Sequence, residues 1–270
     1  MTLRVLSLGW GVQSWTLAAM AALGEIAPLD LAVPADTLHE HEGTYRFAAK
    51  WTPWLIERGV QVDSVKAGDG APPVDRWGAV AIPAYSLTPR GRKGQIRKRQ
   101  CTSNWKIKPI RSRVRALMLS RGLKPRPATV EQVIGFSLDE WGRMRVSDVR
   151  YIVNAYPLVD RRMTRADCGR WLLDHGLPIP PKSSCTFCPY QTARSWRELK
   201  RAGGADWDEA VRVDEEIRDK RRKVGHHLFV HPSCLPLAEA VTIPEDYGLS
   251  QPDLFDDDTE GNCASGVCFV

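Results

Sequence analysis

The sequence predicts an α/β protein built on a parallel sheet. Apolar runs of strand length, Leu3 to Leu8, Leu29 to Val33 and Val60 to Val65, alternate with stretches whose apolar residues recur at helical spacing. The links are short, as right-handed strand–helix–strand crossovers require. The first run breaks at Gly9-Trp10-Gly11 and restarts as an Ala/Leu-rich helix from Ser14 to about Leu23.

That first turn organises the rest. Glycines between a strand and a helix let backbone N–H groups approach an anion, and the helix end adds partial positive charge. Ser14 is expected at the cap, its hydroxyl aimed at the same anion. Neither a Lys-Ser/Thr pair nor a third glycine follows, which excludes the Walker and dinucleotide fingerprints.

Further along, the second strand runs into Ala35-Asp36-Thr37 at a carboxyl end, where ligands of parallel sheets bind. Asp36 reads equally as a ligand or as a turn cap. Gly43 to Arg58 carries Tyr45, Phe47, Ala48, Trp51, Trp54 and Leu55 at helical spacing. Ala67 to Gln95, rich in Gly and Pro, is expected to be a long loop, either a lid or a disordered segment. Lys108 to Arg121 reads as a helix with Pro109 in its first turn, and Thr129 to Phe136 as a fourth strand. At its end, Asp139 and Glu140 suit either Mg²⁺ on a triphosphate or a capped helix start.

Beyond Tyr156 the character changes. Short helices are expected at Thr164 to His175, Ala193 to Arg201 and Trp207 to Lys223, with a last strand near Leu228 to Val230. The expected organisation is a nucleotide-binding domain over 1–160, a helical cysteine-bearing region over 161–240 and an acidic tail over 241–270.

Composition sets limits. Of 270 residues, 43% are hydrophobic and 26% charged, ordinary for a globular protein. Thr2-Leu3-Arg4 leads into a strand, not a signal peptide, and no apolar stretch spans a bilayer, so a cytoplasmic protein without membrane contact is expected. Arg90 to Arg115 holds eleven Lys/Arg and no Asp/Glu against a whole-chain charge of +6. Such a run is a solvated face or the footprint of a polyanion.

Seven cysteines without a secretory signal argue against a disulfide framework. Cys185-x-x-Cys188 places two thiolates on one small loop, favouring zinc or an iron–sulfur cluster over a redox dithiol. Cys101, flanked by cations, is poorly placed as core, whereas Cys234 reads as ordinary packing.

Ser7-Leu8-Gly9 followed by Gly11-Val12-Gln13-Ser14 resembles the Ser-x-Gly-x-x-x-Ser loop of the PP-loop ATP pyrophosphatases, with Gln13 where many relatives carry Asp and Trp10 where they carry Gly or Ala. The series continues through Asp36-Thr37, RQCTSNWKIKPI (Arg99 to Ile110), GFSLDE with Arg143, YPLVDRRMTRADCGRWL and PPKSSCTFCPY. Over residues 1–240 it resembles the phosphoadenosine-phosphosulfate reductase-like branch of that superfamily, especially its phage and mobile-element members. That branch includes the sulfurtransferase of DNA phosphorothioation.

The resemblance implies a Rossmann-like, adenine nucleotide α-hydrolase-like domain binding ATP or an adenylyl-sulfate with Mg²⁺. Its loop residues are Ser7, Gly9, Gly11, Val12, Gln13, Ser14 and Asp36, with catalytic roles for Ser14, Asp36, Asp139 and Arg143. It also implies a [4Fe–4S] cluster on Cys101, Cys185 and Cys188; Cys168, on the helix that runs into the CxxC loop, is the expected fourth ligand, with Cys263 as the alternative. Three functions follow: ATP-dependent sulfur transfer to nucleic acid held by Arg90 to Arg115, reduction of an adenylyl-sulfate, or a zinc-stabilised binding module without turnover. The first two require a sulfur donor protein or a thiol reductant, and a homodimer is compatible with all three.

Overall fold

A computed structural model describes residues 2–96, 100–221 and 225–242. The described chain divides into two compact units, one from 2–70 and Thr102–Ser183, the other from Ala71–Cys101 and 184–242. This differs from the sequential division expected. The chain leaves the first unit at Gly70 and re-enters it at Thr102, and the helix expected to open the cysteine-bearing region belongs to the first unit.

The first unit holds a four-stranded parallel sheet in the order β2-β1-β7-β8: β1 Leu3–Ser7, β2 Leu31–Val33, β7 Val130–Ile134 and β8 Ile152–Ala155. Its inner strands bury Leu3, Val5, Leu6, Val130, Val133 and Ile134, because both faces of the sheet are covered. Helix α1 (Val12–Ala22) packs one face in a core with Leu6, Trp15, Leu17, Leu158 and Leu172. The other face holds Leu3, Val5, Val114 and Met118 beneath α3 (Lys108–Ser120). A two-residue pair, β3 (Ala35–Asp36) with β4 (Val65–Lys66), extends the β2 side, where Ala32 also bridges Val62 in parallel. The chain runs outward from β1 to β2, then returns to the opposite side of β1 with β7. The carboxyl end of β1 is therefore the switch point at which such sheets open a crevice.

Local sequence explains the helix limits. α1 starts at Val12 with Gly11 as its N-cap, so Ser14 occupies the third helical position and not the cap expected for it. α2 (Glu42–Glu57) carries Pro53 inside and lays Phe47, Trp51 and Trp54 around Trp15. After the single turn α4 (Pro157–Asp160), α5 (Arg165–Asp174) begins with a capping box in which Thr164 Oγ1 accepts from Asp167 N–H and the Asp167 carboxylate accepts from Thr164 N–H. Before α3, Thr102–Ile107 winds as π-helical turns, a rare geometry that re-aims side chains.

The second unit corrects the long loop expected over Ala67 to Gln95. β5 (Ala84–Leu87) and β6 (Lys93–Ile96) form an antiparallel hairpin, and β9 (His227–Phe229) pairs the other edge of β5. Ahead of it, Val74 bridges Val80 around a tight turn. Helices α6 (Ala193–Ala202), α7 (Gly204–Arg218) and α8 (Leu237–Ala240) complete the unit. Asp214 of α7, almost wholly buried, accepts from the N–H groups of Val230 and Leu237 and pairs with Arg218. No helix among the described residues is long and apolar enough to cross a membrane.

Candidate functional site

The loop after β1 is shaped by one strained residue and one close approach. Trp10 adopts φ 57°, the left-handed region disfavoured by a side chain at a cost of about 1–2 kcal/mol, and its ring is held by Trp15 and Phe47 at 6.1 and 6.2 Å. Gly135, just past β7, lies so close to α1 that a Cβ there would stand 2.8 Å from Ser14 N. The first turn of α1 thereby rests directly on the end of β7.

Within the loop, Ser14 Oγ accepts from Gly9 N–H at 3.1 Å and lies 3.3 Å from the Gly11 carbonyl. Ser183 Oγ donates to the Gly9 carbonyl at 2.5 Å. The backbone N–H groups of Trp10, Gly11, Val12 and Gln13 find no acceptor among the described residues, and the first turn of α1 carries no acidic side chain. Four such donors at a helix N-terminus form an anion cradle.

Beside the loop lies a cavity of about 240 Å³, bounded by Ser7, Gly9, Trp10, Asp36, Glu40, Thr44, Tyr45 and Lys106, with Ala48, Val62 and Ile110 as apolar wall. Gln132 of β7 donates to Ser7 Oγ at 3.0 Å and fixes its direction. Asp36 accepts from Leu38 N–H and the Tyr45 hydroxyl, both at 2.8 Å, and faces Lys66 at 3.3 Å. It is thus both a turn cap and a cavity residue. Burial and the Asp36 carboxylate push the Tyr45 phenol above its ordinary range, so it stays a donor. Thr44 Oγ1 is buried without a partner and borders the cavity, a polar atom left for a ligand. Lys106, presented by the π-helical turns, meets Glu40 at 3.1 Å, and Ser183 also contacts Glu40 at 3.1 Å.

Of the residues read from the sequence, Ser7, Gly9 and Asp36 line this cavity, and Gly11 to Ser14 form the adjoining helix start. Lys106, Glu40, Thr44, Ser183 and Gly135 were not singled out. Lys106 stood inside the basic run, where one cation is indistinguishable from the next.

Asp139 and Glu140, expected as Mg²⁺ ligands or as a capped helix start, do not line this cavity and have protein partners. Both Asp139 oxygens accept from the Arg165 backbone N–H at 3.2 Å, so it caps the first turn of α5. Glu140 accepts from Gln13 Nε2 at 3.0 Å and pairs with Arg143, which packs over the Phe136 ring at 4.6 Å. Gln13 therefore joins α1 to the turn after β7, and Arg143 braces Glu140 from within that turn. Mg²⁺ in nucleotide sites takes one or two carboxylates plus phosphate oxygens, and the carboxylates facing this cavity are Asp36 and Glu40.

The cysteines do not fit the cluster implied. Cys168 is fully buried in the α1–α5 core, and burial, then the charge of Asp139, pushes its thiol up to about 12. It is a packing thiol, because the helical face that carries it also carries Leu172. Cys101, Cys185 and Cys188 fall in the second unit, partly exposed. Among the described residues no three His, Cys, Asp or Glu side chains converge as a metal group. Cys263 and Cys268 lie outside the described residues.

The basic run is likewise divided. Lys106, Arg111 and Arg113 pair with Glu40, Asp148 and Asp63 inside the first unit. Arg90, Arg92 and Lys93 on the β5–β6 turn are exposed and, among the described residues, have no acidic partner.

No protein-family model matches the chain, and no curated protein matches it. Among solved structures it is similar to phosphoadenylyl-sulfate (PAPS) reductase from Candida auris in a phosphate complex, with TM-score 0.41 and 12% identity over 67% of this chain and 76% of that one.

Proposed function

We propose that this chain is a PP-loop-type enzyme that binds ATP at the β1–α1 turn and transfers its adenylyl group to an acceptor on nucleic acid, preparing that position for sulfur. The observation that carries the reading is the row of unused N–H groups from Trp10 to Gln13, opening beside a cavity at the switch point of a parallel sheet. The N–H row holds the polyphosphate. Lys106 exchanges Glu40 for phosphate oxygens and offsets charge as pyrophosphate leaves. The acceptor oxygen bonds to the α-phosphorus as the bond to pyrophosphate breaks, and a sulfur nucleophile then displaces AMP. Thr44 and Asp36 orient the nucleoside, and Asp36 and Glu40 would hold Mg²⁺, which supplies charge neutralisation at the phosphates. The cations at Arg90, Arg92 and Lys93 hold the acceptor strand.

The test is pyrophosphate release from ATP with and without single-stranded DNA or RNA, alongside sulfite release from adenylyl-sulfate with a thiol. Pyrophosphate release stimulated by nucleic acid supports the reading. Sulfite release without any nucleotide turnover of ATP contradicts it.

A further inference from the structure

Ten tryptophans occur in this chain, and most of those described pack against neighbours. Trp77 does not. It is 75% exposed at the tip of the turn closed by the Val74–Val80 bridge. An exposed ring of that size needs a reason, and the backbone that carries it is well braced. Asp75 Oδ1 accepts from the N–H groups of Trp77 and Ala79 at 2.9 and 2.8 Å, and the Asp75 and Ala79 backbones pair at 2.9 Å. The base of the turn is anchored by Ala71, Val74 and Ile82, all buried. The Arg76 guanidinium lies 4.0 Å from the ring centroid. Among the described residues Arg76 has no acidic partner.

The same unit presents Arg90, Arg92 and Lys93 on a second tight turn, closed by bonds between Thr88 and Arg92. Ala81, just past the Trp77 turn, accepts from Cys101 N–H at 3.0 Å, which ties the turn to the end of the basic run. An exposed indole on a braced turn, with a guanidinium over its ring and in a unit bearing unneutralised cations, is the composition of a single-strand platform. Bases stack on the ring while phosphates meet the cations.

We infer that Trp77 is a base-stacking residue and that the partner of this surface is single-stranded nucleic acid, not duplex. The inference rests on the proposed nucleic-acid acceptor and specifies its form. Stacking on an aromatic ring requires an unpaired base, whereas cations alone bind duplex and single strand alike.

The test is fluorescence anisotropy of the full chain with a labelled oligothymidylate, an abasic strand of equal length and a duplex. Trp77→Ala, at an exposed site that leaves the turn's hydrogen bonds in place, should weaken single-strand binding at least about fivefold. Trp77→Phe should retain most of it. The abasic strand should bind wild type and Trp77→Ala equally, with an unchanged salt slope. Equal binding of the oligothymidylate by wild type and Trp77→Ala overturns stacking while leaving the nucleic-acid reading intact. No binding of any strand by wild type overturns both. Self-association lost in Trp77→Ala, with strand binding kept, puts a second copy on this surface and also overturns it.

Discussion

Lys106 Nζ stands 3.1 Å from Glu40 Oε1, joining π-helical turns to the chain ahead of α2 across the mouth of the cavity. Glu40 is nearly buried, so the pair is costly to break from one side. Lys106→Met should lower stability by about 3 kcal/mol by leaving the carboxylate unpaired. It should also weaken ATP binding at least tenfold. Adding Glu40→Gln should restore most of the stability and none of the affinity, as thermal melts and calorimetry would show.

Gly135 answers to a different constraint. A methyl group there would stand 2.8 Å from Ser14 N and 3.0 Å from Ser14 Cα, both backbone atoms. Gly135→Ala should cost about 1–3 kcal/mol and displace the first turn of α1, reducing ATP affinity. Gly142→Ala, with nothing within 4 Å of its new methyl, should leave both unchanged.

Cys168 should behave as core. With its thiol pushed up to about 12 by burial, it carries almost no thiolate at pH 8 and should resist a thiol-specific disulfide reagent until the protein unfolds. A folded-state pKa above the unfolded value means that its contribution to stability is complete below about pH 8.5 and is lost as pH rises towards 12. Denaturation of Cys168→Ala across that range should show a flatter alkaline decline than wild type.

Asp214 is the corresponding keystone of the second unit. Its oxygens accept from Val230 and Leu237 N–H at 2.9 and 3.0 Å and meet Arg218. Asp214→Ala orphans all three, and should cost about 3 kcal/mol. Proteolysis should then cut the segment around β9 and α8 before it cuts the parallel sheet.

The parts legible in the sequence were those with local signals. β1, β2, β7, α2 and α5 lie inside the spans expected or within a few residues of them, because apolar periodicity is written in adjacent residues. The β5–β6 hairpin was read as loop because its third strand, β9, lies some 140 residues further on, and only that pairing makes it a sheet. β8 was missed because it sits at the sheet edge with Val153 half exposed, leaving too short an apolar run. In the site, Ser7, Gly9 and Asp36 were legible from their places at strand ends. Lys106 and Thr44 were not, since π-helical winding and the approach of α2 bring them in. Cys168, expected as a cluster ligand, is core instead: its partner Leu172 lies four residues on, the spacing of one helical face.

The most direct test of the anion cradle is calorimetric titration of ATP into wild type and Gly11→Asp. Gly11 is the N-cap of α1 with φ −86° and ψ 171°, a conformation Asp adopts freely, and an added Cβ meets only Ser183 Cβ at 4.0 Å. Aspartate there caps the same N–H groups and places a negative charge where the polyphosphate would sit. The predicted result is an unchanged or higher melting temperature with ATP affinity reduced at least a hundredfold. Equal ATP binding by both proteins would contradict the account.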